Sequence, residues 1–225
     1  MSNLILAIDT SLDSCSVALY KKKIYSLFKI CDKKHTIYIL PMINKLLEKT
    51  ETKFSQLSTI AVSRGPGNFT SIRIAVSIAQ SLSLSFKIPL ISISTLLLLS
   101  EQAWRKYQKN KILVAIQASQ KKVYWAEYTR NIHSTWIGEN TESCIDISLI
   151  KNKINIFKKK WVLVGNAWIK IKKKYLLNIE NKKIVFPHAQ DMIPVALLSI
   201  KNNQIFMPID IKPNYLNNVF ENKNI

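Results

Sequence analysis

The chain has little glycine, arginine, histidine or cysteine, with 4, 4, 3 and 3 residues among 225. Cys15, Cys31 and Cys144 are odd in number, widely spaced and free of any Cys-x-x-Cys pair, so they indicate neither a disulfide framework nor a zinc site. His35, His133 and His188 stand too far apart in sequence to make a helical His-x-x-x-His metal pair. No stretch has the composition of a disordered segment. The first ten residues lack a basic segment and run straight into Asp9, which does not read as a signal peptide. The most apolar stretch, residues 88–99, is broken by serines and too short to span a bilayer. A cytoplasmic protein without membrane attachment is expected.

Lysine is what the chain has in abundance. The net charge of +19 rests on 29 lysines and only four arginines, Arg64, Arg73, Arg105 and Arg130. Arginine holds phosphate bidentately and stacks on bases, so a dedicated reader of nucleic acid should carry more of it. Lysine, isoleucine and asparagine all have AT-rich codons, and a biased genome yields this excess without selection for binding. Residues 106–225 carry +12 against +7 for residues 1–105, and include the runs Lys158-Lys159-Lys160 and Lys172-Lys173-Lys174. A solvated lysine face and a weak electrostatic track for RNA both fit. With 48% hydrophobic and 21% charged residues, the chain suffices for one large domain or two small lobes with a real core.

Residues 4–9 are an apolar run ending in a carboxylate, and residues 14–19 are a second run of strand formers. The turn residues 10–13 between them predict a β-hairpin, and a third strand is expected over 24–30. The period of Ile39, Met42, Ile43, Leu46 and Leu47 predicts a helix over 35–49, kinked or broken near Pro41. A buried strand over 59–63, an apolar segment over 69–86, a strand over 90–93 and a helix over 95–106 follow, the last N-capped by Ser94. The polar segment 107–111 is the candidate boundary. Beyond it, 112–118 and 123–129 repeat the opening theme of two strands across a polar turn. A strand over 161–164 ends at Gly165, a helix is expected over 188–200, and the tail 209–225 is polar. The pattern predicts an α/β protein of two related lobes, 1–106 and 107–225.

The densest signal is Ser63-Arg64-Gly65-Pro66-Gly67-Asn68-Phe69-Thr70-Ser71-Ile72-Arg73. A strand feeds a Gly-Pro-Gly turn that opens a helix, and the glycines there supply positive φ or close backbone approach. Asn68 or Thr70 can cap the helix, and the free N–H groups at its start favour an anion. Two readings stay open. One is a tight strand-to-helix turn with two surface arginines. The other is a loop that holds a phosphate or a partner's carboxylate, using Arg64, Gly65, Gly67, Asn68, Thr70 and Arg73. Along the helix, Ile72, Ile74, Val76, Ile78, Leu82 and Leu84 point all around the wheel, with Ser71, Ala75 and Ala79 in one gap and Ser77, Ser81 and Ser85 in another. A helix apolar all round must be covered all round, either inside the chain or by a second protein.

The order and combination of several segments resemble the TsaB (YeaZ) family. These are Ile5-Leu6-Ala7-Ile8-Asp9-Thr10-Ser11, Cys15-Ser16-Val17-Ala18-Leu19, His35-Thr36, Ile39-Leu40-Pro41-Met42 and Arg64-Gly65-Pro66-Gly67-Asn68-Phe69-Thr70 with Arg73. Ile78-Ala79-Gln80, Ser94-Thr95-Leu96 and Val123-Tyr124-Trp125-Ala126-Glu127-Tyr128 continue the likeness. Beyond that it thins to Val164-Gly165 with Trp168, Asp191-Met192, Pro194, Ala196, Pro213, Tyr215 and Leu216.

The resemblance implies the two-lobed actin-like ATPase fold (the ASKHA, ribonuclease H-like class), a mixed sheet with helices in each lobe. It implies a non-catalytic subunit in formation of threonylcarbamoyladenosine on tRNA. Such a subunit pairs with the catalytic subunit TsaD, with the ATPase TsaE joining them, and meets tRNA through the complex. No catalytic residue and no metal ligand is expected in this chain, and no tightly bound cofactor; ATP or ADP would sit at the junction with TsaD. Asp9 stands where the fold holds a nucleotide, as a ligand contact or a turn-capping carboxylate. Gln117 and Ser119 stand where relatives often carry Asp and Arg, and an amide is a poor Mg²⁺ ligand and no base. Asn217 stands where relatives often have a basic residue. The expected partner face uses His35, Ile39, Met42, Ile43 and Leu46 with Ile72, Ala75, Val76, Ala79 and Leu82, and the same face would form a homodimer when TsaD is absent. Two rivals remain: an active actin-fold kinase or ATPase, and a basic tRNA-binding module.

Overall fold

The computed structural model describes residues 3–157, 160–169, 171, 179–204, 211–214 and 216. Lys158, Lys159, the run Lys172-Lys173-Lys174, Tyr215 and Asn217 lie outside the described residues.

The opening runs form an antiparallel meander of β1 (Ile5–Asp9), β2 (Ser14–Lys21) and β3 (Lys23–Ile30). After α1 (His35–Lys49), β4 (Thr59–Ser63) pairs parallel to β1. After α2 (Phe69–Phe86), β5 (Leu90–Ile93) pairs parallel to β4, which gives the order β3-β2-β1-β4-β5. β1 and β4 are buried at every position, as unbroken apolar strands in the middle of a covered sheet should be. One face packs Leu6, Ile8, Val17 and Ile60 under Ile39, Ile43 and Leu46 of α1 and Ile72, Ala75 and Ala79 of α2.

Pro41 neither breaks α1 nor ends it, and the helix runs eight residues beyond it. Proline removes one helical N–H, but here it lies on the solvent side with Ile37, whose freed carbonyl water can satisfy. α2 is long and apolar enough by length and composition to cross a membrane. Its inner row nevertheless packs on the sheet, while its outer row carries Thr70, Arg73, Ser77, Ser81 and Ser85, which lipid would not cover.

α3 (Thr95–Tyr107) starts at Ser94, whose Oγ accepts from the Leu96 N–H at 3.1 Å, as its sequence predicts. The second sheet opens with β6 (Lys111–Gln117) and β7 (Lys122–Arg130), antiparallel across the polar turn. β8 (Trp136–Ile137) and β9 (Ser143–Asp146) both add to β7, and α4 (Ile147–Ile154) follows. β10 (Val162–Val164) pairs parallel to β6, and β11 (Glu180–Asn181) parallel to β10. α3 lies between the sheets: Leu98 packs with Ile5, Ala7 and Ile91, whereas Leu96, Leu99 and Ala103 pack with Ile112, Val114 and Tyr128.

The last helix among the described residues, α5 (Met192–Lys201), is entered through a 3-10 turn, Ala189–Asp191, and returns to the first sheet. Met192, Ile193 and Ala196 close the face opposite α1 and α2. Arg105 of α3 holds the buried Asp191 carboxylate at its start through two hydrogen bonds, one of them 3.1 Å. Ile211 also returns to the first sheet's core.

Candidate functional site

The Gly-Pro-Gly loop is built against the β1–β2 turn. Gly65 has φ +94°, and its carbonyl accepts from the Thr95 N–H at 2.8 Å. A β-carbon on Gly67 would stand 2.2 Å from the Ser11 carbonyl oxygen. That carbonyl accepts instead from the Asn68 N–H at 2.8 Å. Thr10 Oγ1 donates to the Ser71 carbonyl at 2.5 Å, which pins the first turn of α2. Asn68 occupies the N-cap position but does not cap, because its Nδ2 donates to Asp13 Oδ1 at 2.8 Å. Thr70 lies inside the helix and is exposed.

Asp9 is fully buried beneath this loop. Its Oδ1 accepts from Ser11 Oγ at 2.7 Å and Ser11 N–H at 3.3 Å. Ser63 lies close enough to favour the carboxylate, yet neither Asp9 Oδ2 nor Ser63 Oγ completes a hydrogen bond. Burial pushes its carboxyl up to about 6, against the opposing help of Ser63 and Ser11. Asp9 has no exposed surface in the chain alone, and the hydrogen bonds that its Oδ1 accepts are those of the β1–β2 turn.

Arg64 is likewise turned from an anion. Its guanidinium pairs with Glu139 of the second lobe, and its Nε is buried without a hydrogen bond. Arg73 is exposed, with its guanidinium 3.3 Å from the centre of the Phe69 ring. Of the expected anion group, the structure therefore leaves Asn68, Thr70 and Arg73 at the surface, with Gly65 and Gly67 shaping the loop beneath them.

The expected partner face needs a sharper correction. His35 is buried: its Nε2 lies 2.7 Å from the Leu12 carbonyl, and its Nδ1 lies 3.4 Å from Ser71 Oγ. Ile39, Ile43, Leu46, Ile72, Ala75, Val76 and Ala79 are all core, because the apolar period that marks them is the one that faces the sheet. Met42 and Leu82 are half-buried beside it. What the two helices show to solvent is a different set, Ile37 (61% exposed), Leu40 and Pro41 on α1 and Phe69, Leu84 (69%) and Phe86 on α2. Large apolar side chains this exposed on two neighbouring helices make a candidate docking band.

Sequence reasoning missed a polar seam that ties the lobes together. Glu142, just before β9, is half-buried among donors: Tyr128 OH donates to its Oε1 at 2.6 Å, Asn214 Nδ2 to its Oε2 at 3.2 Å, and Ser94 Oγ to its Oε1. Burial raises its carboxyl, and Ser94 and Tyr128 oppose the rise. Asn214 also donates its N–H to the Arg64 carbonyl at 2.7 Å. Beside this seam a cleft of about 780 Å³ opens between β5, α3, α5 and the β7–β8 turn. Glu101 in its wall accepts from Trp136 Nε1 at 2.6 Å, and the Arg130 guanidinium stacks 4.4 Å from the Trp104 ring.

In the second lobe, Gln117 Nε2 donates to the Ser119 carbonyl at 3.2 Å, and the Gln117 N–H to Asn166 Oδ1 at 2.8 Å. Gly165 has φ +111°, and a β-carbon there would stand 2.1 Å from the Ala115 carbonyl. It serves strand approach. The second hairpin thus presents the Gln117 amide, a poorer Mg²⁺ ligand than a carboxylate. Among the described residues, no group of three or more His, Cys, Asp or Glu is placed to hold a metal.

A family model described as TsaD, tRNA N6-adenosine threonylcarbamoyltransferase, matches residues 28–209. The chain is 51% identical, over 98% of its length and all of the relative's, to the tRNA threonylcarbamoyladenosine biosynthesis protein TsaB of Buchnera aphidicola from Acyrthosiphon pisum. It is 36% identical to the Escherichia coli protein of the same name, over 95% of this chain and 94% of that one. Its fold matches the solved structure of YeaZ from Pseudomonas aeruginosa with a TM-score of 0.86 and 25% identity, covering 96% of this chain and 100% of that one.

Proposed function

The chain belongs to the TsaB family of tRNA threonylcarbamoyladenosine biosynthesis proteins, and we propose that it serves there as the non-catalytic partner that docks on TsaD. The fold is the two-lobed actin-like one. The observation that carries the partner reading is a discontinuous apolar band on two helices whose opposite faces are already spent on the chain's own core: Ile37, Leu40 and Phe69 near the helix starts, and Leu84 and Phe86 at the end of α2, with Arg73, Ser77 and Ser81 between them. A second pair of helices laid on this band would complete a four-helix contact and hide it from water.

Three features support a non-catalytic subunit. His35 is consumed by Leu12 and Ser71, His188 stacks on Phe28 with 4.2 Å between ring centres, and the second hairpin presents the Gln117 amide where a carboxylate would be needed. Transfer of the threonylcarbamoyl group to the adenosine N6 amine then belongs to TsaD, with TsaE joining the pair and tRNA engaged through the assembly. ATP or ADP in that assembly would meet this chain at the junction beside Asn68, Thr70 and Arg73, since Asp9 is sealed. Without TsaD, the same band would pair two copies of this chain.

The test is co-purification of tagged TsaD with the chain. Leu40→Asp with Leu84→Asp changes only side chains about half or more exposed, so the fold should stand while the pair is lost. Bulky replacements of Ala75 or Ala79 would instead disrupt the core, because both are fully buried. Undiminished recovery of the aspartate variant with TsaD would refute the docking surface.

A further inference from the structure

Lysine in this chain is too common to mark a site by number, but its placement at one end of the second sheet is another matter. β6, β10 and β11 run parallel, with Val162 opposite both Ile112 and Glu180. That register brings Lys111, Trp161 and Ile179 into one row at the end of the sheet away from Gln117 and Gly165. α3 ends beside the same row, so Tyr107 and Lys109 join it. The contacts tie these pieces together: Lys182 Nζ lies 4.5 Å from the centre of the exposed Tyr107 ring, Lys111 Nζ 5.9 Å from that of Trp161, and Lys109 Nζ 3.7 Å from Glu180. Lys182 also pairs with Glu180. Segments 107–111, 160–161 and 179–182 thus bring four lysines and two aromatic rings to this end, with Glu180 as the single carboxylate among them.

We propose that this end of the second lobe, built on Tyr107, Lys109, Lys111, Lys160, Trp161 and Lys182, is a direct docking surface for the phosphate backbone of tRNA. The proposal deepens the function above, in which tRNA is the molecule modified, by giving this chain its own contact with it. Ammonium groups are compact point charges that hold phosphates without reading bases. The exposed Tyr107 ring beside Lys182 offers a sequence-tolerant stacking platform. A chain poor in arginine is suited to such contact, since discrimination among bases is not asked of it. The surface shares no residue with the α1–α2 band, so tRNA and TsaD do not compete for it. An anionic membrane would be attracted by the same charge, and the exposed Ile156 beside Phe157 and Trp161 could insert among acyl chains, so vesicle binding is the alternative that the test must separate.

The experiment measures binding of an unmodified tRNA transcript to the assembled complex of this chain with TsaD, by fluorescence anisotropy across a salt series. Lys109→Gln, Lys111→Gln and Lys182→Gln are combined, and compared with an equal loss of charge on the first lobe, Lys22→Gln, Lys23→Gln and Lys53→Gln. The surface variant should lose about tenfold or more in affinity, with a log–log salt slope shallower by about 2, while the first-lobe variant loses less than about twofold. Equal losses in both variants, or none in the surface variant, would overturn the surface. So would a surface variant that keeps tRNA but loses binding to phosphatidylserine vesicles. Assembly with TsaD is read separately by size exclusion. If the wild-type chain never engages TsaD, the partnership fails, and the same anisotropy comparison on the chain alone still decides the surface.

Discussion

Gly67 and Ser11 approach so closely that a β-carbon on the glycine would stand 2.2 Å from the serine carbonyl. The contact locks the Gly-Pro-Gly loop onto the first hairpin and sets where α2 begins. Gly67→Ala must push the two backbones apart and lose the Asn68 N–H to Ser11 carbonyl bond. A destabilisation of about 3 kcal/mol is expected, measurable as a shift in urea midpoint with an unchanged slope. A variant as stable as the parent would contradict the packing.

Asp9 carries the pH dependence of this region. Its folded carboxyl titrates at about 6, above the ordinary 3.8. Between those values the folded state binds more protons than the unfolded one, so stability falls as pH rises through the window. Asp9→Asn keeps an oxygen for Ser11 and removes the buried charge. It should exceed the parent in stability by about 2 to 3 kcal/mol at pH 7 and lose that advantage by pH 4. Parallel stability curves across that range would contradict the buried carboxylate.

His188 works in the opposite sense. Burial, with Lys106 and Arg105 nearby, lowers its imidazole from 6.5 to about 4, and it stacks on Phe28 with ring centres 4.2 Å apart. The unfolded chain binds the extra proton between those values, so stability drops as pH falls from 6.5 to 4. His188→Phe should remove about 1 to 2 kcal/mol of that loss, the half-buried ring being partly screened by water. Thermal melts at pH 4.5 and 7 provide the comparison.

The seam between the lobes separates a strong acid position from a weak one. Glu142 accepts from Tyr128, Ser94 and Asn214 in a half-buried setting, whereas Glu139 meets Arg64 with 70% of its side chain exposed. Glu142→Ala strands buried donors and should cost about 2 to 3 kcal/mol, while Glu139→Ala should cost about 1 kcal/mol or less. Denaturant titration of the two variants checks the ranking.

Much of this was legible in the sequence where local signals and tertiary packing agree. The helices 35–49 and 69–86 and the strand 59–63 have the boundaries that period and turn residues predict. Legibility failed where a residue's meaning came from distant partners. The apolar period of α1 named a face that is the core, and α2, which reads as apolar all round, also buries one row, while the exposed Ile37, Leu40 and Leu84 carry no period of their own. Segment 131–157 carries no strong local signal, since β8 has two residues and β9 four, and their pairing with β7 is set by register. Glu139 and Glu142 carry no local signal, and their partners Arg64, Ser94 and Asn214 stand 48 or more residues away in sequence. Arg64 seemed free beside the helix start for the same reason.

The central claim is that this chain works through docking on another subunit. The most direct measurement is formation of threonylcarbamoyladenosine on tRNA in a mixture of TsaD, TsaE and a source of threonylcarbamoyl-AMP, with the chain present, absent, or carrying Leu40→Asp and Leu84→Asp. Product that requires the wild-type chain and disappears with the aspartate variant is the expected result. Product made by the chain without TsaD, or undiminished by the variant, would contradict the account.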